Sequence, residues 1–567
     1  MPEESVIIIG TGGAGLRGAL ELRGAGVRVV VVSKGGAGIS GATPSGLYSY
    51  CAADPSDPSN PPDLFREDIL RSGLTVNDPL LVDFLCRDGY ARLQDLAAWG
   101  MPWERSADGA IARTQLPGHC APRAFFVDRR TGHAMTQTLL RACRSVGVEF
   151  VQYHAALDLV LEEGRICGLI LLDWVKGEPS LWKCDALIVA SGGAAGLYRL
   201  NTNPPGQTGD GMGLILRAGG ELVDMEFMQM YPTVLVHPPA GYGQEFASAQ
   251  LLAAGAFLLN RKGEEFFSRW EDIPVGQATR DVLSRGIARE IASGGGTEAG
   301  GVILDARHVP HMLKADRYVQ YLEEIGVDPL RSTLQVAPGA HYSLGGVRVQ
   351  APTVCVGLSG VFAAGEVLGG LHGANRLAGN ALSEIQVFGA RAGEEALAYL
   401  KKIPKEGKKR TDRQPPQKGA SPLWDAICEG RARKTGCSIG DLKESLRGLM
   451  DRHGGVIRTK KGLEEALAGL EEIRDSFENQ MALPDRHEPW HPEWLAAAEI
   501  GNMIEVSRAL LASAWARTES RGAHYRDDYP QRDPRWDGHN LIVKGAGKSM
   551  AVLRRDRSCG REWKVWP

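Results

Sequence analysis

SVIIIGTGGAGLRGALELRGAGVRVVVVSK, residues 5–34, decides the fold. An apolar run leads into a glycine loop, a helix-length segment and a second apolar run, so the stretch predicts strand, loop, helix and strand. The loop Gly10-Thr11-Gly12-Gly13-Ala14-Gly15 fits G-x-G-x-x-G in its proper context, after a strand and opening a helix. Glycines there permit a tight turn, close approach of backbone to a pyrophosphate, and contact of helix with strand. The helix N-terminus adds N–H groups and partial positive charge for phosphates. Gly10, Gly12, Gly13, Ala14 and Gly15 are therefore expected to bind a dinucleotide. Where an acidic residue commonly meets the ribose, at the end of the second run, the chain has Ser33 and Lys34.

Two further strand signals end in glycines. DALIVASGGAAGLY (185–198) contains Ala190 and Gly192, and GVFAAGEVLG (360–369) ends a strand at Gly365-Glu366. Nucleotide-binding segments so far apart imply a domain assembled from distant parts of an α/β chain. That arrangement suits a long cofactor in an extended conformation, hence FAD.

Composition narrows the rest. The 567 residues are 43% hydrophobic and 23% charged, with a formal net charge of -3, which is ordinary for two to four globular domains. A balance so near zero argues against nucleic acid as the main partner. The ten cysteines are scattered without a C-x-x-C, so no metal site, iron–sulfur cluster or disulfide framework is expected within the chain. FASAQLLAAGAFLLN (246–260) falls short of the roughly 20 apolar residues of a membrane-spanning helix. No direct membrane insertion is expected, and a cytoplasmic location is, with room for membrane association through other subunits.

The ordered segments GTGGAG, DRRTGHAM (128–135), NTNPPGQTGDGMGLILRAGGELVDMEF (201–227), TRDVLSR (279–285), GAHYSLGG (339–346), FAAGEVLGGLHGANRLAGNALSE (362–384) and ESRGAHYRDDYPQRD (519–533) carry a resemblance. The chain resembles the flavoprotein subunits of succinate dehydrogenase and fumarate reductase and their relative L-aspartate oxidase, from the first strand to about residue 540. The resemblance implies a Rossmann-like FAD-binding domain interrupted by an α+β capping domain and followed by a C-terminal helical domain. The expected boundaries are 1–224 and 341–400 for the FAD domain, 225–340 for the cap, 401–419 for a basic linker, 420–520 for the helices and 521–567 for a C-terminal tail. Besides the glycine loop, it implies cofactor contacts from Ser33, Lys34, Ser40, Gly41, Gly46, Ala190, Gly192, Asp210, Glu366, Asn380 and Ser383.

Chemistry at a carbon–carbon bond beside a carboxylate needs cations to anchor the acid and a group to move a proton. Arg376 stands in the family's carboxylate-clamping position, where a guanidinium fork matches a carboxylate. His341 matches a second carboxylate-binding residue, and Arg280 the arginine that transfers the proton. Departures accompany these matches. Tyr231 replaces a histidine before Pro-Thr. Counting back from Asn260, Ser248 replaces the substrate threonine, Ala249 the relay glutamate and Leu252 the relay arginine. The family's proton route to Arg280 is therefore interrupted, and the substrate is expected to differ from succinate or fumarate, or the proton to take another path. Membrane members of the family link FAD to a histidine in the segment that here reads GGAGISGATPSG, with Ser40 near that position, so FAD is expected to be non-covalent.

The leading expectation is a subunit exchanging a hydride between flavin and a small carboxylate, in the reducing direction, coupled to a separate iron–sulfur electron-transfer subunit. Two alternatives stand beside it: an L-aspartate oxidase-like amino-acid oxidase, and an electron-transfer flavoprotein subunit whose substrate pocket is degenerate.

Overall fold

A computed structural model describes residues 5–566 apart from 48, 129, 246–248, 310–316, 325, 351, 404–418 and 485–488. Ser5–Ile9 is buried throughout and pairs in parallel with Arg28–Ser33 on one side and Ala186–Val189 on the other. Glu149–Gln152 continues the sheet beyond Arg28–Ser33, and Val361–Ala363 lies beyond Ala186–Val189, both parallel. Val354–Cys355 and Val349–Gln350 finish that edge in the antiparallel sense. Strands covered on both faces need no polar alternation, which is why SVIII and RVVVVS read as unbroken apolar runs. Ligands of such sheets bind outside the carboxyl ends of the strands. Gly10, Ser33, Lys34, Ala190 and Ala364 sit at or just past those ends and line one cavity.

Two of the loop glycines are required by close approach. Gly10 has φ +113°, and a Cβ there would lie 2.2 Å from the Ala190 carbonyl oxygen; a Cβ on Gly15 would lie 2.0 Å from the carbonyl oxygen of Gly10. A side chain at either position would wedge helix Gly13–Gly24 away from the sheet. The long helix Asn380–Leu400 packs against that same helix.

The second layer is an antiparallel sheet in the order Met228–His237, Leu334–Ser343, Val302–Asp305, Phe257–Leu259. It has its own apolar cluster with Leu235, Leu258, Phe266, Ile287 and Val336. Helices Pro422–Ala432, Ile439–Leu449, Lys460–Asn479 and Pro492–Ala516 follow. Ser421, Ser438 and Thr459 cap the first three through side-chain oxygens that accept from backbone N–H groups. The fold class expected from the sequence is thus present. The basic linker falls mostly outside the described residues. The C-terminal stretch is no tail: His539–Lys544, Ala551–Asp556 and Glu562–Trp566 form a meander that joins a sheet through Glu221–Val223. Its apolar residues Leu541, Val543 and Val552 are buried, while Lys564 is exposed.

The segment 517–533 holds a buried charge cluster. The Arg517 guanidinium, fully buried, donates to Glu226 at 2.6 Å and Glu519 at 3.1 Å and lies 3.6 Å from Asp224. The rings of Phe227 and Trp536 flank it at 4.9 and 4.7 Å. From the same segment the Ala523 N–H donates to the Ala374 carbonyl at 2.9 Å, while the Ala374 N–H donates to the Gly73 carbonyl. The loop that carries Arg376 is therefore held from two sides.

Candidate active site

The cavity outside the parallel strands has a volume of about 2170 Å³, more than the roughly 300–1,000 Å³ of a single small-molecule site. It has room for a dinucleotide together with a second small molecule. At one end Gly10, Gly12, Gly13 and Ala14 form its wall with Ser33, Lys34, Ser40, Gly41, Gly46, Ala190, Gly192, Asp210 and Glu366. At the other end stand Tyr231, Glu245, Arg280, His341 and Arg376.

The dinucleotide end is built of backbone and small polar groups. The first turn of helix Gly13–Gly24 follows an N-cap glycine that offers no side-chain cap, and the Gly13 N–H donates to Thr43 Oγ1 at 3.1 Å. Thr11, Ser33 and Ser40 form a hydroxyl cluster at 3.1 and 3.3 Å. Lys34 is placed there but spent: its three N–H donors go to Thr208 at 3.1 Å, Asp210 at 2.6 Å and Glu499 at 2.9 Å. Lys34 therefore orders this wall and has no donor left for a ligand. Gly15, Asn380 and Ser383 are off the wall. Gly15 fills the helix–strand contact, and the Ser383 hydroxyl is given to the Cys51 carbonyl. Asn380 is fully buried at the start of its helix, and neither amide atom has a partner among the described residues. Burial, and after it Glu384, push the Glu366 carboxyl up to about 7, against a backbone hydrogen bond from Ser343.

The three predicted catalytic residues meet at the far end, although 61 and 35 positions separate them in sequence. Arg376 Nη2 donates to His341 Nε2 at 3.0 Å. A guanidinium only donates, so Nε2 accepts and the proton lies on Nδ1, 2.8 Å from Thr202 Oγ1. Burial, with Arg376 and Arg280 beside it, holds His341 well below its usual range and so neutral. The guanidinium of Arg376 rests 4.2 Å over the Tyr342 ring, and its Nε, buried, has no partner among the described residues. Arg280, the first residue of helix Arg280–Glu290, lies 4.8 Å over the ring of Tyr231, and the His341 ring lies 5.2 Å from that same ring. Gln229 ties the two arginines together: it donates to the Arg376 carbonyl at 3.0 Å and accepts from Arg280 at 3.5 Å.

Ser248, expected to bind substrate, lies outside the described residues. Leu252 is buried in the apolar cluster of the second layer, away from the cavity. Sequence reasoning missed Gln229, Thr202 and Glu245. Gln229 stands two residues before Tyr231 on one strand, and that period-two spacing was the available signal; nothing in GYGQEFA marks Glu245.

These features define a flavin-dependent oxidoreductase: a glycine loop on a parallel sheet, opening into a cavity whose far end presents cations and an imidazole. The comparisons agree. A family model described as FAD binding domain matches residues 5–382, and one described as fumarate reductase flavoprotein C-term matches residues 443–558. The chain belongs to the fumarate reductase/succinate dehydrogenase flavoprotein family, and its cofactor is FAD. It is 34% identical to one of the subunits of fumarate reductase (CoM/CoB) from Methanothermobacter marburgensis, over 95% of this chain and 97% of that one. It is 30% identical to the succinate dehydrogenase flavoprotein subunit of Coxiella burnetii over 95% and 94%. Among solved structures, Mycobacterium smegmatis Sdh1 in complex with UQ1 superposes with a TM-score of 0.86 at 30% identity, covering 100% of this chain and 95% of that one. Among the described residues no helix is long and apolar enough to cross a membrane.

Gly10→Ala tests the cradle. Forcing a Cβ into the left-handed region costs about 1–3 kcal/mol, and the contact with Ala190 adds to it. Flavin content per chain, read from the visible absorbance of the purified variant, is expected to fall at least about tenfold at limiting FAD.

Proposed function

We propose that this chain is the flavoprotein subunit of a reductase acting on the carbon–carbon double bond of a small unsaturated carboxylic acid, supplied with electrons by a separate iron–sulfur protein. The observation that carries it is the Arg376 fork: buried, stacked on Tyr342, bound to a neutral His341, and left with an unpartnered Nε at the cavity end. An arginine so buried is costly without an anion, and a carboxylate matches its donors in bidentate fashion. Bound FAD supplies two-electron chemistry at the double bond. The chain's own residues do the remainder. Arg376 and His341 anchor and polarise the carboxylate, Tyr231 closes the wall beside His341, and Arg280 stands where a proton passes to the second carbon. A guanidinium is a weak acid, so Arg280 needs a group that resupplies its proton. FAD is held without a covalent bond: the wall residue near the family's attachment position is Ser40, whose hydroxyl donates to the Gly36 carbonyl at 2.7 Å.

The test uses the purified holoprotein reduced with dithionite under anaerobic conditions. Rapid reoxidation by fumarate or another enoate is expected. Reoxidation by iminoaspartate alone would favour the amino-acid oxidase reading, and reoxidation by none of them a degenerate pocket. Acid precipitation of the same sample is expected to leave the yellow flavin in the supernatant.

A further inference from the structure

The end of the cavity contains a carboxyl group that the reading above does not use. Glu245 lies on a short return after Met228–His237, where residue 245 bridges to Val234 and the Leu235 N–H donates to the Gln244 carbonyl. Its Oε2 is buried, accepts no hydrogen bond among the described residues, and lies 3.5 Å from His341 Nδ1. The groups that face it are His341 on its strand, Arg280 at its helix start, Arg376 on its loop, and the Tyr231 ring behind His341.

The charges decide what this carboxyl can do. Among the groups that act on Glu245 itself, His341 is neutral and Arg280 and Arg376 contribute two positive charges, so an ionised Glu245 leaves one in excess within that set. A monoanion would balance that. A dicarboxylate would leave the cavity end with a net negative charge, which a buried site tolerates poorly. Protonating one group restores neutrality.

The geometry points to Glu245 as the site's titratable counterion: a dicarboxylate binds together with one proton, and that proton resides on the Glu245 carboxyl. Burial already raises this carboxyl, opposed by Arg280 and Arg376; a second anion beside it raises it further. The bound proton then stands beside Arg280 and His341. The inference rests on the carboxylate site proposed above.

Malonate is a suitable probe, since its single central carbon leaves no bond for the flavin to desaturate. Binding of malonate to the oxidised holoprotein is followed by flavin difference spectra and, in weakly buffered solution with a pH indicator, by proton uptake. Close to one proton per malonate is expected in the wild type at pH 7.5, with a Kd that rises with pH toward about tenfold per unit. The isosteric E245Q variant should take up none and bind malonate with a Kd that stays flat over the same range. Malonate bound by the wild type with no proton uptake overturns the inference and leaves the carboxylate site standing. Unchanged uptake in E245Q also overturns it and assigns the proton to His341. Absence of malonate binding in the wild type overturns the inference and the site together.

Discussion

Arg376→Ala is expected to yield a yellow, folded protein that reduces no enoate at a measurable rate. The fork contributes to anchoring the substrate carboxylate and to holding charge that develops on it, so its removal costs both affinity and rate. Truncating one partner of a buried, hydrogen-bonded charge pair costs about 2–5 kcal/mol, and loss of one preorganised donor at the reacting end lowers kcat by about 10²–10³. A fall in kcat/KM of at least about 10³-fold follows. Arg376→Lys keeps the charge and loses the fork, so it should recover only a small part. Flavin content separates this outcome from misfolding. Activity retained in the alanine variant with full FAD would mean that the anion clamp lies elsewhere.

Arg517→Ala is expected to be strongly destabilising. The substitution leaves Asp224, Glu226 and Glu519 buried without the guanidinium they share, and breaking a buried pair from one side costs about 3–5 kcal/mol. The penalty depends on pH, with a sign that can be worked out. Asp224 is already raised to about 7, by burial first and then by Glu226. A carboxyl with a folded pKa above its unfolded value, near 3.9, contributes stability that is full below the unfolded value and lost as pH rises through the folded one. Without Arg517 the shift grows, so the variant should lose more stability at pH 8 than at pH 5. Urea titrations at the two pH values measure this; an equal loss at both would show that the cluster does not bind the extra proton.

The parts of this molecule legible in its sequence are those where a local rule coincides with a global one. SVIIIGTGGAGL could be read because strand burial, glycine turn and helix start all act within a dozen residues. The catalytic end could not be read that way. His341, Arg376 and Arg280 come from a strand, a loop and a helix start, and only the family resemblance linked them. Lys34 looked like a ligand residue because a sequence shows a charge and not its partners; Asp210 and Glu499, which accept its hydrogen bonds, are 176 and 465 positions away. The strands after residue 538 were hidden for a related reason. In sequence they interleave Arg554, Arg555 and Lys564 with the apolar residues, so a half-buried edge meander resembles a charged tail. Glu245 had no signal at all, since its significance comes from the two arginines and the imidazole that the fold brings to it.

The order of strands in the nucleotide sheet has a consequence for biosynthesis. Val361–Ala363 is the partner of Ala186–Val189, and Asn380–Leu400 is the helix that backs Gly13–Gly24. A ribosome making this chain therefore releases the glycine loop long before the elements that brace it. Lasting capture of the cofactor must wait until about residue 400 has left the exit tunnel.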